Sequence, residues 1–255
     1  MKFALVIPTR GDRPEFINQC NQLIRRQTKQ PDDIIWVDYK PKSNQKDITQ
    51  RYRWGVNQAT QRNYDFVVFW EDDDWYHPKY LEWLIDNWVK LKKPDFFGVG
   101  ETYYYHHGLE ALHYMKHPGR TSAFSTLVKI PWKIPWPEDN YSFLDMHIHK
   151  NSQPITIMYP SNQVYAIGIK HGLGVTGGGG HRQNFPYSRP NSKEWFYQQI
   201  QGDRVFYDEI KNKIKTIKPQ NKIIGTNENR GKHINSNTSI QLHQRRRKIK
   251  KIRRR

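Results

Sequence analysis

In 255 residues the sequence has one cysteine, Cys20, so it can form neither an intramolecular disulfide nor a cysteine-based zinc site. Long apolar runs are missing too. Phe3–Pro8 and Phe66–Trp70 fall far short of the roughly 18 to 20 residues of a membrane span, and the opening residues carry neither a full signal-peptide core nor a cleavage site. These absences predict a cytoplasmic chain with no transmembrane segment. Acids are scarce at one end. From Lys211 to Arg255 there are 16 Lys and Arg against the single acid Glu228, which leaves 26 basic and 23 acidic residues for 1–210. The net charge of +18 therefore belongs mainly to the last stretch, which ends in RRRKIKKIRRR and is otherwise rich in Asn, Lys, Ser, Thr and Gly. Such a composition cannot bury a core. The expected division is a folded body, 1–218, and a mostly disordered basic tail, 219–255. A tail of that charge is drawn to polyanions, nucleic acid or an anionic surface, through residues 222–255.

Aromatic residues, by contrast, are plentiful: 9 Trp, 15 Tyr and 11 Phe make 14% of the chain, so much of the core must be ring surface. Strand and helix signals alternate from the first residue, the mark of an α/β fold with a mainly parallel central sheet. Lys2–Ile7 reads as a strand. Asp12, with Pro14 and Glu15, forms a capping-box pattern for a helix whose Phe16, Cys20, Leu23 and Ile24 share a face. Ile34–Asp38 is a second strand. Ile48, Tyr52, Val56 and Ala59 mark a second helix, and Asp65–Trp70 is apolar on both faces, as a buried central strand should be. Pro78 opens a third helix with Leu81, Leu84, Ile85, Trp88 and Leu91 inward. From Phe96 onward the pattern turns β-rich, interrupted by a helix at Tyr141–Lys150 and followed by strands near Ile155–Tyr159 and Val164–Lys170.

Glu71-Asp72-Asp73-Asp74 directly follows the central strand. Four adjacent carboxylates repel one another, and at the carboxyl end of a parallel strand, where α/β sheets bind ligands, they call for a compensating cation. Hard oxygen ligands suit Mg²⁺ or Mn²⁺ bridging to a diphosphate. The competing reading is a solvated acidic turn capping the next helix.

The segments VIPTRGDRPEFINQCNQLIRRQ, IIWVD and FVVFWEDDDWYHPKYLE resemble the nucleotide-sugar glycosyltransferases of family 2, which share the Rossmann-like GT-A fold; the likeness runs in order over roughly residues 3–175. The resemblance implies a nucleotide-sugar half, 1–95, and an acceptor half, 96–218, a UDP-linked donor, and inverting transfer. It implies that Pro8 and Thr9 hold the nucleotide, that Asp38 contacts the base, that Arg51 serves the nucleotide, and that Asp72 and Asp73 make ribose and metal contacts. Tyr39 stands where the family commonly has a second acid. Asp145, at the start of a helix, resembles the family's catalytic base, with Glu138 and Asp139 as competitors, and His171 resembles a histidine that completes the metal site or contacts the diphosphate. A nucleic-acid-binding protein on a degenerate glycosyltransferase scaffold is the alternative.

Other signals are weaker. Gly172–Gly177 satisfies GxGxxG without a following helix and reads as a glycine-rich loop. Trp132 and Trp136 are either a ligand platform or packing residues. His106-His107 and the His147/His149 pair lack a third metal ligand and are assigned to a polar surface or acceptor groove.

Overall fold

The computed structural model describes residues 1–40, 46–171 and 191–220. The glycine-rich loop and nearly all of the basic tail lie outside the described residues. In chain order the elements are β1 (Phe3–Pro8), α1 (Pro14–Arg25), β2 (Asp33–Val37), α2 (Ile48–Gln61), β3 (Phe66–Phe69), β4 (Trp75–Tyr76), α3 (Tyr80–Lys90), β5 (Phe96–Val99), β6 (Glu101–His106), β7 (Ala111–Lys116), β8 (Thr126–Lys129), α4 (Leu144–Ser152), β9 (Ile155–Ile157), β10 (Ala166–Lys170), α5 (Ser192–Ile200) and α6 (Arg204–Gln220). The chain divides into two compact units, Met1–Ile217 and Lys218–Arg255. All these strands belong to the first.

The result is a mixed α/β fold with two sheets. The larger has the order β2-β1-β3-β8-β5-β9. Strand β1 is parallel to both β2 and β3, with Val6 opposite Ile35 on one side and Phe69 on the other. Strand β8 runs against β3 and β5, and β5 is parallel to β9, so one strand of six is reversed. Alternate residues of the central strands face opposite cores. Leu5, Ile7, Phe66 and Val68 pack under α1 and α3, against Cys20, Leu23, Leu84 and Trp88. Ala4, Val6, Val67 and Phe69 pack under α2 and α4, against Tyr52, Val56, Leu144 and Ile148. Coverage on both faces is why these runs carry no polar alternation. Helix α2 sits so close to β1 that a Cβ on Gly55 would lie 2.3 Å from Val6 Cγ1, and only glycine allows that approach.

The β-rich half is shared between the sheets. Strands β5, β8 and β9 complete the first, whereas β6, β7 and β10 join the two-residue β4 in a second, ordered β4-β10-β6-β7. The crossing occurs at Gly100, whose N–H donates to Ile157 O (2.8 Å) and whose carbonyl accepts from His117 N (2.7 Å). Rings from α5 and α6 then cover the second sheet: Phe196 stacks on Tyr105 at 3.8 Å and Tyr207 on His107 at 5.6 Å. Among the described residues no helix is long and apolar enough to cross a membrane.

Several local expectations need correction. Asp12 does not cap α1. The helix starts after Arg13, its N-cap residue makes no side-chain cap bond, and Asp12 pairs with Arg10 at 2.8 Å instead. Leu91 is 41% exposed because it lies just past the last turn of α3. Helix α4 begins at Leu144, three residues after the expected start. His106 and His107 are buried rather than on a polar surface, His107 against Phe196 of α5 and Tyr207 of α6.

Burial of His107 has a measurable consequence. Its Nε2 has no hydrogen-bond partner. Desolvation, helped by His171, Lys211 and His106 and opposed by Asp208, pushes its pKa down to about 3 from an ordinary 6.5. The unfolded chain therefore takes up this proton first as pH falls. The penalty is absent above pH 6.5 and grows from there down to about pH 3, with a slope approaching about 1.4 kcal/mol per pH unit. Replacing His107 with Phe, which fills the slot without titrating, should leave stability near pH 7.5 little changed and make the variant progressively more stable than the wild type at pH 6 and 5. Urea denaturation at the three pH values checks this, and parallel pH dependences for the two proteins would refute it.

Candidate functional site

The site lies at the carboxyl end of β3, beside the loop that follows β1 and His171, the residue that follows β10. Trp70, its N–H bonded to Val6 O, ends the buried run and stacks on Tyr76 with 3.6 Å between ring centroids. The four acids between these rings go separate ways. Asp72 accepts from Thr9 Oγ1 at 2.6 Å and from Arg13 Nη2 at 2.9 Å. Asp73 accepts from Arg13 Nη1 at 2.8 Å, and His171 Nε2 lies 2.9 Å from the same oxygen. Asp74 Oδ1 accepts the Ile169 N–H of β10 at 2.7 Å, while its Oδ2 is buried with no partner. Glu71 receives cationic support from Lys170, whose Nζ lies 4.5 Å from the centre of the Tyr104 ring.

Burial raises the pKa of Glu71 to about 7, with Lys170 opposing and Asp73 reinforcing the shift. Burial, together with the Asp73 charge, raises Asp72 to about 6 against the pull of Arg13 and Thr9. Asp74 is pushed well above the carboxylate range by burial and by Glu71. Asp73 goes the other way. Burial again disfavours its charge, but the His171 hydrogen bond and the Arg13, His171 and Lys170 charges outweigh it and hold the carboxyl well below its ordinary value. Charge is thus concentrated on Asp73, the residue with the most cationic neighbours.

One carboxylate oxygen each from Glu71, Asp73 and Asp74 lies within 4.8 Å of the others. Three hard oxygens, one of them on a buried carboxylate with an unsatisfied atom, fit Mn²⁺ or Mg²⁺. Of the expected pair, Asp73 and His171, the histidine touches Asp73, and among the described residues the converging oxygens come from Glu71, Asp73 and Asp74.

The remaining candidates surround this loop. Pro8 ends β1 opposite Val37 of β2, and Thr9 N–H donates to Val37 O at 3.1 Å. Asp38 is exposed just past β2. Arg51, only 2% exposed, donates to Thr9 O (2.6 Å), Val37 O (2.8 Å) and Tyr39 O (2.8 Å), and pairs with Asp47 at 2.9 Å. It reaches the strand ends from behind, tying the β1 and β2 termini together. Asp145 stands in the first turn of α4, its Oδ2 accepting from Arg120 Nη1 at 2.7 Å, and its charge contributes to the rise of Glu71. Of its competitors, Asp139 is paired with Arg53 on α2. Trp132 and Trp136 stack on each other at 3.8 Å, with the Trp132 ring edge-on to Phe96, and serve as packing.

Sequence reasoning named Glu71 and Asp74 within the acidic run without giving either a role of its own, and missed Arg13, Lys170 and Arg120. For Arg13 a usable signal existed: the β1–α1 loop of an α/β sheet opens on the same edge as the loop after β3. The others are brought in by strand pairing and by the path of the chain between β7 and β8, which no local pattern announces.

No protein-family model matches the sequence, and no curated protein matches it. Among solved structures, Staphylococcus aureus TarS 1–349 in complex with UDP superposes with a TM-score of 0.46 at 11% identity, over 66% of this chain and 60% of that one. The same protein in complex with UDP-GlcNAc gives 0.43 at 12%, over 67% and 59%, and A197 from STIV gives 0.40 at 13%, over 62% and 82%. This chain thus spans about three fifths of TarS 1–349. At such scores the likenesses carry no weight for function.

Arg51→Met should cost about 3–5 kcal/mol, the range for removing one partner of a buried ion pair, because Asp47 and three carbonyls lose their donor together. Equilibrium denaturation measures it. A loss below about 1 kcal/mol, within the usual range for an exposed pair, would show that the pin is dispensable.

Proposed function

We propose that the chain is a metal-dependent glycosyltransferase with a GT-A body, moving a sugar from a nucleotide-sugar donor, UDP-linked on the family resemblance, to an acceptor with inversion. The observation that carries this reading is the convergence of one carboxylate oxygen each from Glu71, Asp73 and Asp74, the last a buried residue with an unsatisfied Oδ2, at the carboxyl end of a central strand parallel to β1. The chemistry such an ion supplies when bound is charge neutralisation on the departing diphosphate.

The chain's own residues divide the remaining work. Pro8, Thr9 and Asp38 lie along the ends of β1 and β2, where the nucleotide is to sit, with Arg51 holding those ends in register. Asp72, fixed by Thr9 and Arg13, is the ribose contact. Asp145 is the base: the acceptor hydroxyl gives it its proton while the hydroxyl oxygen attacks the anomeric carbon and the bond to the diphosphate breaks. Its Arg120 partner holds the carboxylate in place by the 2.7 Å contact to Oδ2. The acceptor is unnamed, and residues 222–255 favour a polyanionic one.

Donor hydrolysis and transfer, followed by mass spectrometry over a panel of nucleotide sugars with Mn²⁺, test the reading. Asp73→Asn or excess EDTA should abolish turnover without unfolding the chain. Asp145→Asn should lower turnover by at least about 10²-fold, the lower end of a general-base contribution, with donor affinity nearly unchanged. Full activity in EDTA would sink the metal assignment, and a variant that loses donor binding while keeping turnover would move the base to Glu138 or Asp139.

Removing residues 222–255 should leave donor hydrolysis intact and weaken DNA or anionic-vesicle binding, flattening its salt dependence, since log affinity falls with log salt in proportion to the phosphates neutralised. Identical binding curves across a salt series for full-length and shortened chains would rule out the tail as the polyanion contact.

A further inference from the structure

In the assignments above Arg13 only helps to fix Asp72, yet it also bridges from Asp72 to Asp73. It is the N-cap residue of α1, with φ −131° and ψ 71°, and its carbonyl accepts the Phe16 and Ile17 N–H groups of the first turn. The backbone is therefore committed to the helix, while the side chain lies across the Phe16 ring, 5.0 Å from ring centre to guanidinium carbon, and reaches the acidic loop. There Nη2 pairs with Asp72 at 2.9 Å and Nη1 with Asp73 at 2.8 Å, and Nη1 lies 3.3 Å from His171 Nε2. Its Nε–H is buried and makes no hydrogen bond, Asp12 Oδ1 lying 4.0 Å away. One planar group thus bridges two carboxylates that would otherwise repel each other, and it does so on Asp73, the carboxylate shared with the Glu71/Asp73/Asp74 group.

We propose that Arg13 is an exchangeable counterion: it neutralises Asp72 and Asp73 when the site is empty, is drawn off Asp73 when a divalent cation arrives, and takes the diphosphate of the donor as its new partner. This deepens the reading of the acidic loop as a metal–diphosphate site and rests on it. Two positive species cannot both sit on Asp73 at low cost, so cation and guanidinium compete for it. A guanidinium matches phosphate oxygens by parallel N–H donors, and Arg13 already has one donor, Nε–H, without a hydrogen bond. A diphosphate that accepts the guanidinium removes the competitor from the cation's ligand, and by linkage the cation strengthens diphosphate binding by the same factor. The Phe16 ring gives the side chain an apolar surface to slide on without leaving the site.

The test is binding rather than turnover. Mn²⁺ alone, UDP alone and Mn²⁺ with saturating UDP are titrated calorimetrically, with free Mn²⁺ followed by its electron paramagnetic resonance signal, into the full-length wild type, Arg13→Gln and Arg13→Lys. The expected wild-type result is weak Mn²⁺ binding that UDP strengthens by about 10-fold or more, within the usual span of coupling between sites. Arg13→Gln should bind Mn²⁺ alone about 10-fold more tightly than the wild type, bind UDP alone more weakly, and lose most of the coupling. Should Arg13→Gln fail to fold, Arg13→Lys decides, because an ammonium keeps the charge but cannot bridge two carboxylates: tighter Mn²⁺ binding than the wild type supports the exchange, and unchanged binding overturns it.

Arg13→Gln with unchanged or weaker affinity for Mn²⁺ also overturns the exchange. So does wild-type UDP binding that is lost in Arg13→Gln while neither protein binds Mn²⁺, since the guanidinium would then be a permanent cation. If the wild type binds Mn²⁺ through Asp73 and transfers sugar, the functional reading survives such a failure. Absence of both Mn²⁺ and UDP binding in every protein removes the reading and the exchange together.

Discussion

A turn of four consecutive carboxylates, two buried and two half-buried, is costly, and the structure at the carboxyl end of the sheet is organised around meeting that cost. Desolvation favours the neutral form of each acid, and each ionised neighbour raises the cost further. The charge is kept where cations are close, on Asp73 between Arg13 and His171, while Glu71, Asp72 and Asp74 are displaced toward protonation. Thr9 Oγ1 and the Ile169 N–H supply neutral donors. These partners come from the β1–α1 loop, β10 and the residue after β10. The acidic turn thereby ties the first sheet to the second, since Asp74 reaches from the end of β3 to a strand of the other sheet.

The same logic explains the rigidity behind the site. Arg51 gathers the carbonyls of Thr9, Val37 and Tyr39 and is itself compensated by Asp47. Asp203 plays the corresponding role further out, accepting from Gln19, Arg26 and the Trp75 indole, and so fastening the turn before α6 to α1 and β4. Most polar groups inside such a structure are answered by a partner. Asp74 Oδ2 and Arg13 Nε, both buried and without a hydrogen bond, fall within the one cluster where a ligand is expected.

Patterns of local origin were legible in the sequence. The apolar run before Glu71 is a strand buried on both faces, the four-residue recurrence from Ile48 to Ala59 is a helix packed on it, and the acidic loop falls at a strand end. Where a local pattern competed with a distant partner, the distant partner won. Asp12 has the spacing of a helix cap, yet Arg13 is drawn to Asp72 and Asp73, Asp12 pairs with Arg10, and the helix starts one residue later without a side-chain cap. His107 carries no sign in its neighbourhood that Phe196 and Tyr207 will cover it.

Composition, periodicity and charge order by themselves determined the α/β alternation, the doubly buried central strands, the location of the acidic cluster and the segregation of basic charge into the last 45 residues, because each is written in residues adjacent along the chain. Only the tertiary structure decided that the β-rich half splits between two sheets at Gly100, that oxygens of Glu71, Asp73 and Asp74 converge with His171 beside Asp73, and that Arg13 is already seated on that loop. The physical reason is separation along the chain. Arg13 and Asp73 are 60 residues apart and His171 and Asp73 are 98 apart, and contacts of that span depend on how strands order in a sheet, which no local periodicity encodes.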